Sequence, residues 1–157
     1  MKKILTTIVA SLFILAVSAQ SYKGSKVRIS HEEKLNEMYC SGLFKSTDGT
    51  ILDVANNVSS RGYINILDWL QGRVAGLQIY TSYSGTTYPV IRGTVAGIYI
   101  DEMPVSANML NLLNINDIAM VKIIKTPFYG GFNGGGGAVA IYTLGGEDEE
   151  EDVVHIK

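Results

Sequence analysis

Cysteine is almost absent from this sequence of 157 residues, because Cys40 is the only one. A single cysteine excludes an internal disulfide framework, and together with two widely separated histidines, His31 and His155, it offers too few ligands for a zinc site. Basic residues do not outnumber acidic ones, at 13 against 15, so the charge gives no indication of nucleic-acid binding. We therefore expect no metal, no cofactor and no nucleic-acid partner.

The common catalytic motifs are also missing. The sequence contains no H-E-x-x-H, no G-x-S-x-G and no C-x-x-C. Its glycine-rich run has neither the Lys-Ser/Thr of a P-loop nor the G-x-G-x-x-G spacing of a dinucleotide site. The adjacent carboxylates of Asp101 and Glu102 would face opposite sides of a strand, which favours a turn over a catalytic pair. The sequence thus predicts a protein that is not an enzyme.

The N-terminus has the pattern of an export signal. Lys2 and Lys3 precede an apolar stretch over residues 4–17, and small residues follow that fit a cleavage site before Gln20. The apolar stretch is shorter than the roughly 20 residues that span a bilayer. We expect residues 1–19 to be a secretory signal peptide, and the remaining length has room for one domain.

Hydrophobic periodicity predicts short helices and short strands. Helices are expected over residues 32–39 and 51–58, and a third begins at Asn65 and ends near Gly76. Strands are predicted at residues 77–80, 90–91, 98–100, 118–124 and 138–143, and the strand at 118–124 is apolar on both faces and so central, apart from Lys122. This pattern predicts a small α/β (α+β) fold with a mixed, short-stranded sheet, two or three short helices and glycine-rich loops.

Two loops are candidates for function. Residues 130–137 (GGFNGGGG) are either a flexible turn or a place where the backbone approaches a partner or ligand closely. The polar loop at residues 81–87 is accompanied by Tyr80, Tyr83 and Tyr88, whose rings can stack on a sugar or an aromatic group. These three tyrosines are the candidate ligand-facing residues.

Six short segments follow one another along the chain: residues 70–77 (LQGRVAGL), 91–93 (IRG), 98–105 (IYIDEMPV), 116–118 (NDI), 129–130 (YG) and 136–142 (GGAVAIY). In these segments and their order, residues 65–146 resemble the plug domain of TonB-dependent outer-membrane receptors, and the SusC-like group of Bacteroidetes in particular. The residues that carry these family motifs, all with structural roles, are Gly72, Arg73, Gly76, Arg92, Gly93, Asp101, Pro104, Asn116, Asp117, Gly130, Gly136 and Gly137.

The resemblance implies a small plug-domain fold that sits inside a large β-barrel, entered from the periplasmic side, and blocks the pore until the TonB protein pulls on the N-terminal segment. It implies an exported protein on the periplasmic side of the outer membrane, with an outer-membrane β-barrel as partner and with TonB and a SusD-like lipoprotein as further partners. We expect a signal peptide at residues 1–19, a loosely structured segment at 20–48, the plug-like domain at 49–146 and an acidic tail at 147–157.

Three features depart from the family pattern. A barrel of about 22 strands with about ten residues each needs some 220 residues, whereas 138 remain after the signal peptide (157 less 19). Glu102 stands where the family favours glycine, so we expect a bend other than the Asp-Gly type I′ turn, which needs positive φ at both central residues. No clear TonB box is present in the sequence.

These observations support one functional hypothesis and leave two alternatives. We expect a non-enzymatic plug-like domain of outer-membrane nutrient uptake that gates, or associates with, a β-barrel supplied by another chain. One alternative is a stand-alone periplasmic or surface module that binds a glycan or peptide through the tyrosine-flanked loop. The other is a truncated receptor fragment that has no function by itself.

Overall fold

The computed structural model of the chain describes residues 29–130 and 134–145. The expected signal peptide and the acidic tail lie outside these residues. In the part of the chain that is described, no helix is both long enough and apolar enough to cross a membrane.

Three short helices and eight strands make up the described chain. The helices are α1 (His31–Tyr39), α2 (Gly42–Ser46) and α3 (Ile66–Leu70), and 3₁₀ turns lie at Val58–Gly62, Ala107–Leu112, Ile115–Asp117 and Gly134–Gly136. The strands are β1 (Thr50–Asp53), β2 (Leu77–Thr81), β3 (Thr87–Ile91), β4 (Thr94–Val95), β5 (Gly97–Ile100), β6 (Met103–Val105), β7 (Ile118–Ile124) and β8 (Ala138–Thr143).

Side-chain caps explain where α1 and α3 begin. The Ser30 hydroxyl accepts a hydrogen bond from the Glu33 N–H at the start of α1, and the Asn65 side chain accepts one from the Leu67 N–H at the start of α3. Each cap satisfies an amide that has no partner within the helix. The start of α3 at Asn65 confirms the boundary that the sequence predicts.

The strands form a five-stranded sheet in the order β1-β7-β8-β5-β6 and a three-stranded sheet in the order β2-β3-β4. In the larger sheet β5 and β8 are parallel and the other neighbours are antiparallel, so the sheet is mixed. All seven residues of β7 are buried, as expected of a central strand. The α/β fold with a mixed, short-stranded sheet is confirmed.

The two faces of the large sheet differ in chemistry. One face is aliphatic, carries Ile98, Val121, Ile123, Val139 and Ile141, and packs with α3 and the smaller sheet in one core cluster. The opposite face packs with Leu35, Cys40 and Phe44 from the N-terminal helices in a second cluster. On the sheet side that second cluster contains Ile51, Tyr99, Met120, Ile124, Ala138, Ala140 and Tyr142. The segment at 20–48, expected to be loosely structured, therefore contributes α1 and α2 to this second cluster.

Two local predictions are wrong. The apolar residues at 51–58 do not form a helix, because Thr50–Asp53 is a strand that pairs with β7 and only Val58–Gly62 makes a 3₁₀ turn. Helix α3 ends at Leu70 rather than near Gly76, and Gly72 and Gly76, with φ of 75° and 84°, belong to the turns between α3 and β2. The cap before β7 is Asn114, which accepts from the Asn116 N–H.

The turn between β5 and β6 also differs from expectation. Ile100 and Met103 are register partners, so Asp101 and Glu102 are the two central residues of a hairpin, with φ of 46° and 66°. Positive φ at both positions is the type I′ requirement, which this hairpin meets without glycine. The IRG motif likewise forms a hairpin turn, between β3 and β4, with positive φ at Arg92 and Gly93.

Candidate functional site

The three candidate tyrosines lie on the β2–β3 hairpin. Tyr80 and Tyr88 are register partners across the two strands, and Tyr80 is half exposed whereas Tyr88 is partly buried. Tyr83 lies in the connecting loop and is fully exposed. The structure therefore brings Tyr80 and Tyr88 together and places Tyr83 apart from them, at the tip.

Hydrogen bonds hold the loop between these tyrosines in one shape. The Ser82 hydroxyl accepts from the Thr86 N–H at 3.1 Å, and the Ser82 N–H donates to the Thr86 carbonyl at 2.8 Å. The Thr86 hydroxyl donates to the Asn108 side chain at 3.2 Å and so connects the hairpin with the 3₁₀ turn at Ala107–Leu112. A loop held in this way loses little further conformational entropy when a ligand contacts Tyr83.

A pocket of about 410 Å³ lies between the smaller sheet and the edge of the larger one. Its lining includes Tyr88, Val95, Ile98, Pro104 and Ser106, and no charged side chain contributes to it. Tyr88 and Pro104 are both singled out by sequence, but no pattern indicates that they meet here, because the walls are formed by strands that are distant in the chain. The pocket can take an uncharged group, and its lining contains two side-chain hydroxyls, those of Tyr88 and Ser106.

The Asp101–Glu102 turn is tied to its surroundings by both carboxylates. Asp101 accepts from the Thr143 N–H at 2.9 Å and from the Thr143 hydroxyl at 2.8 Å, which fixes the turn to the end of β8. Glu102 accepts from the Ser41 N–H at 2.5 Å, from the Ser41 hydroxyl and from the Tyr142 hydroxyl at 3.2 Å. These bonds offset the roughly 1 kcal/mol or more that positive φ costs each residue.

The glycine-rich run approaches the protein's own backbone. A Cβ on Gly136 would lie 2.3 Å from the Val95 carbonyl oxygen, and one on Gly137 would lie 2.2 Å from that of Ile124. Gly137 also has φ of 85°, which side chains rarely adopt. These contacts are internal to the fold: Gly136 approaches β4 and Gly137 approaches the end of β7, whereas the prediction for this run is a flexible turn or an approach to a partner or ligand.

The remaining motif residues have local contacts. Arg73 stacks on the Trp69 ring, with 4.6 Å from its guanidinium carbon to the ring centroid, and its Nε donates to the Trp69 carbonyl. The Asp117 carbonyl accepts from the Leu144 N–H at 2.7 Å and joins the ends of β7 and β8. A Cβ on Gly130 would meet the buried Phe128 ring at 2.4 Å.

One ion pair and no metal-binding group are found in residues 29–130 and 134–145. No three His, Cys, Asp or Glu side chains there come together as a metal site. The ion pair joins His31 Nε2 and Asp53 Oδ2 at 2.6 Å. Burial alone would raise the pKa of Asp53, but hydrogen bonds from Asn56 and His31 hold it below its ordinary value. This pair fastens α1 to the end of β1.

Similarity to a known protein family identifies the domain. The family model described as the TonB-dependent receptor plug domain matches residues 50–138, which is more than half of the chain. This chain belongs to the plug-domain family of TonB-dependent receptors. Plug domains are components of outer-membrane transport receptors rather than enzymes. No curated protein matches the chain.

Solved receptors share the fold of this plug domain. The RagAB peptide transporter matches with 25% identity and a TM-score of 0.51, over 67% of this chain and 13% of its own. The ferric enterobactin receptor PfeA of Pseudomonas aeruginosa matches with 17% identity and a TM-score of 0.52, over 61% and 17%. The siderophore receptor PirA of Acinetobacter baumannii matches with 18% identity and a TM-score of 0.50, over 62% and 17%. The chain thus spans less than a fifth of the length of these receptors.

Most motif residues of this plug domain serve its own fold. Gly136 and Gly137 admit close backbone contacts, Asp101 and Asp117 join strand ends, and Arg73 packs on α3. Pro104 lies on the edge strand β6 opposite Tyr99, where it removes a backbone donor from the open side of the sheet. Arg92 is the exception, as its exposed side chain makes no hydrogen bond or ion pair with any described residue.

Proposed function

We propose that this plug domain gates, or associates with, an outer-membrane β-barrel supplied by another chain and takes part in nutrient uptake there. The observation that carries the proposal is the family match over residues 50–138. An exported protein on the periplasmic side of the outer membrane fits this role, and TonB and a SusD-like lipoprotein are the further partners that we propose.

The geometry of Arg92 supports a contact outside the domain. Its φ of 52° costs about 1 kcal/mol for a residue other than glycine, and no described residue forms a hydrogen bond or ion pair with its guanidinium in return. Backbone strain at an exposed hairpin tip is explained if the side chain binds a group on another molecule. The lumen of an outer-membrane barrel is polar and offers acidic or carbonyl partners to such a cation.

The direct test is capture of the partner. A tagged form of the chain is used as bait on detergent-extracted outer membranes of the native host, and bound bands are examined for the heat-dependent gel shift of a β-barrel. We expect a barrel with the wild type and less of it with Arg92→Asn, which keeps the turn but removes the cation. Arg61→Asn, which removes an exposed charge elsewhere, serves as the control. Recovery of the bait alone would overturn the proposal.

A second candidate function is a ligand-binding module that works without a barrel. The pocket beside Tyr88 and the ordered loop that presents Tyr83 favour it. The expected ligand is an uncharged glycan or a peptide with an apolar group. Isothermal titration calorimetry with such ligands tests it, because binding by the isolated chain that is lost in Tyr83→Ala or Tyr88→Ala supports the module, and no heat with any of them contradicts it.

A further inference from the structure

Residues 31–46, which we call the strap, cover one face of the large sheet. The strap consists of α1, the linker Cys40 and Ser41, and α2. Three of its hydrophobic side chains are buried, those of Leu35, Cys40 and Phe44. The Phe44 ring packs edge-on against Tyr99, with centroids 5.0 Å apart, and against Phe128 at 4.6 Å. The strap is therefore held by few apolar contacts for its length.

A buried lysine beneath the strap provides the first polar attachment. Lys122 of β7 is 2% exposed, and its ammonium donates to the Asn36 side-chain oxygen at 2.7 Å and to the Phe44 carbonyl at 2.6 Å. Both acceptors belong to the strap. If the strap lifts, water can replace both oxygens and solvate the cation fully. Hydration of the cation then offsets part of the free energy that opening costs.

Glu102 provides the second attachment. Its carboxylate accepts from the Ser41 N–H and the Ser41 hydroxyl, at the point where the strap passes from α1 to α2. A glycine at this position, which the family pattern favours, could not make these bonds, so this attachment comes from a residue in which the chain departs from its family. Water can satisfy a carboxylate and a hydroxyl as well as they satisfy each other.

The sheet face under the strap contains a polar group that water can hydrogen-bond when the face is uncovered. The Tyr99 hydroxyl is buried without a hydrogen-bond partner, and Ala138 and Ala140 expose little apolar surface when uncovered. The opposite face carries valine and isoleucine at the neighbouring positions of β7 and β8, namely residues 121, 123, 139 and 141. Uncovering the strap face exposes Met120 and Ile124 together with polar groups that water can satisfy, whereas uncovering the aliphatic face exposes mainly branched aliphatic side chains.

We propose that the strap is a separately opening unit, held by Glu102 on Ser41 and by Lys122 on Asn36 and Phe44, which lifts from the sheet while the aliphatic core stays closed. The opening is a property of the chain by itself. It needs no barrel, so its test is independent of the proposed function.

The chain carries one natural probe for each face. Cys40, its only cysteine, belongs to the strap and is 5% exposed because it faces the sheet, and Trp69, its only tryptophan, is 1% exposed in the aliphatic core. Labelling of Cys40 by 5,5′-dithiobis(2-nitrobenzoate) reports lifting of the strap, and Trp69 fluorescence in urea reports global unfolding. In the absence of urea, we expect Cys40 to be labelled at least about tenfold faster than the rate calculated for labelling through global unfolding alone. A rate equal to the calculated one would overturn the proposal.

Two variants separate the strap from the rest of the fold. Glu102→Gly removes the attachment to Ser41 but relieves the positive φ, so we expect Cys40 labelling to rise about tenfold while the Trp69 midpoint stays or increases. Arg92→Gly relieves positive φ in the other hairpin and serves as the matched control, with an unchanged labelling rate. Ser41→Ala, a milder change, should raise the rate about threefold. A rise in Glu102→Gly that merely follows a lowered Trp69 midpoint would contradict a separate unit.

Discussion

The ammonium of Lys122 lies 2.6 Å from the backbone carbonyl oxygen of Phe44, although the two residues are 78 positions apart in the chain. No carboxylate forms an ion pair with Lys122 in the described part of the chain. Burial lowers the pKa of Lys122, and the more distant Cys40, Asp48 and Glu102 oppose this shift. The Lys122 cation in the centre of the sheet is therefore hydrogen-bonded by neutral oxygens of the strap. The strap and the sheet stabilise each other through these bonds.

Removal of one of those oxygens should be costly. Asn36→Ala leaves the Lys122 ammonium with the Phe44 carbonyl alone, and we expect the free energy of unfolding in urea to fall by about 1.5–3 kcal/mol. Glu37→Ala, at the adjacent exposed position of α1, is the control and should stay within about 0.5 kcal/mol of the wild type. Equal stability of the two variants would show that Lys122 does not depend on Asn36.

The glycine run should tolerate a methyl group at one position and not at another. Gly137→Ala places a Cβ against the Ile124 carbonyl at positive φ and should cost more than about 2 kcal/mol of unfolding free energy. At Gly135 an added Cβ meets nothing within 4 Å, so Gly135→Ala should change stability by less than about 0.5 kcal/mol. Urea denaturation followed by circular dichroism measures both, and similar losses would refute the assigned contacts.

Arg92 should be replaceable with a gain in stability. Asn-Gly is the preferred type I′ pair, and Arg92 forms no hydrogen bond or ion pair with a described residue, so Arg92→Asn should raise the unfolding free energy by about 0.5–1 kcal/mol. Thermal unfolding of the two proteins at one pH checks this. A lower melting temperature would mean that the arginine supports the fold, and the argument for an external contact would be lost.

The buried thiol of Cys40 should make the free energy of unfolding depend on pH in the alkaline range. Burial is the largest cause of the raised pKa of Cys40, with a hydrogen bond to Tyr142 opposing it, so the folded state keeps a proton that the unfolded state loses near pH 9.0. The stabilisation is complete below pH 9.0 and is lost as the pH rises above it, by at most about 1.4 kcal/mol per pH unit.

Comparison with Cys40→Ala measures this contribution together with the smaller effect of the thiol on Tyr142 and Lys122, whose pKa values it raises. Urea midpoints at pH 7, 8, 9 and 10 should show a constant difference up to pH 8 and a growing relative loss for the wild type above pH 9. Parallel curves over the whole range would show that the folded and unfolded thiols titrate alike.

The elements with strong local signals could be predicted from the sequence. The unbroken apolar runs of β7 and β8 and the Asn65 cap of α3 each determine local structure with little help from distant residues. Residues 51–58 could not be assigned in this way, because a short apolar run fits both the helical and the strand period. Only the pairing of Thr50–Asp53 with β7 makes this segment a strand.

The candidate site was less predictable, since its features come from contacts between distant residues. Asp101 and Glu102 hold positive φ through bonds to Thr143 and Ser41, which lie 42 and 61 positions away. Lys122 interrupts an apolar run in the sequence, but only the packed strap shows what it binds. The family motifs indicated the fold correctly and gave no indication of the strap.

The central claim, that this plug domain acts on a barrel supplied by another chain, is tested most directly by conductance. The captured barrel is reconstituted in a planar bilayer, and the purified chain is added to its periplasmic side. The account predicts that the open-pore current falls on addition and that Arg92→Asn closes the pore less well than Arg61→Asn. A current that stays unchanged at saturating protein would contradict it.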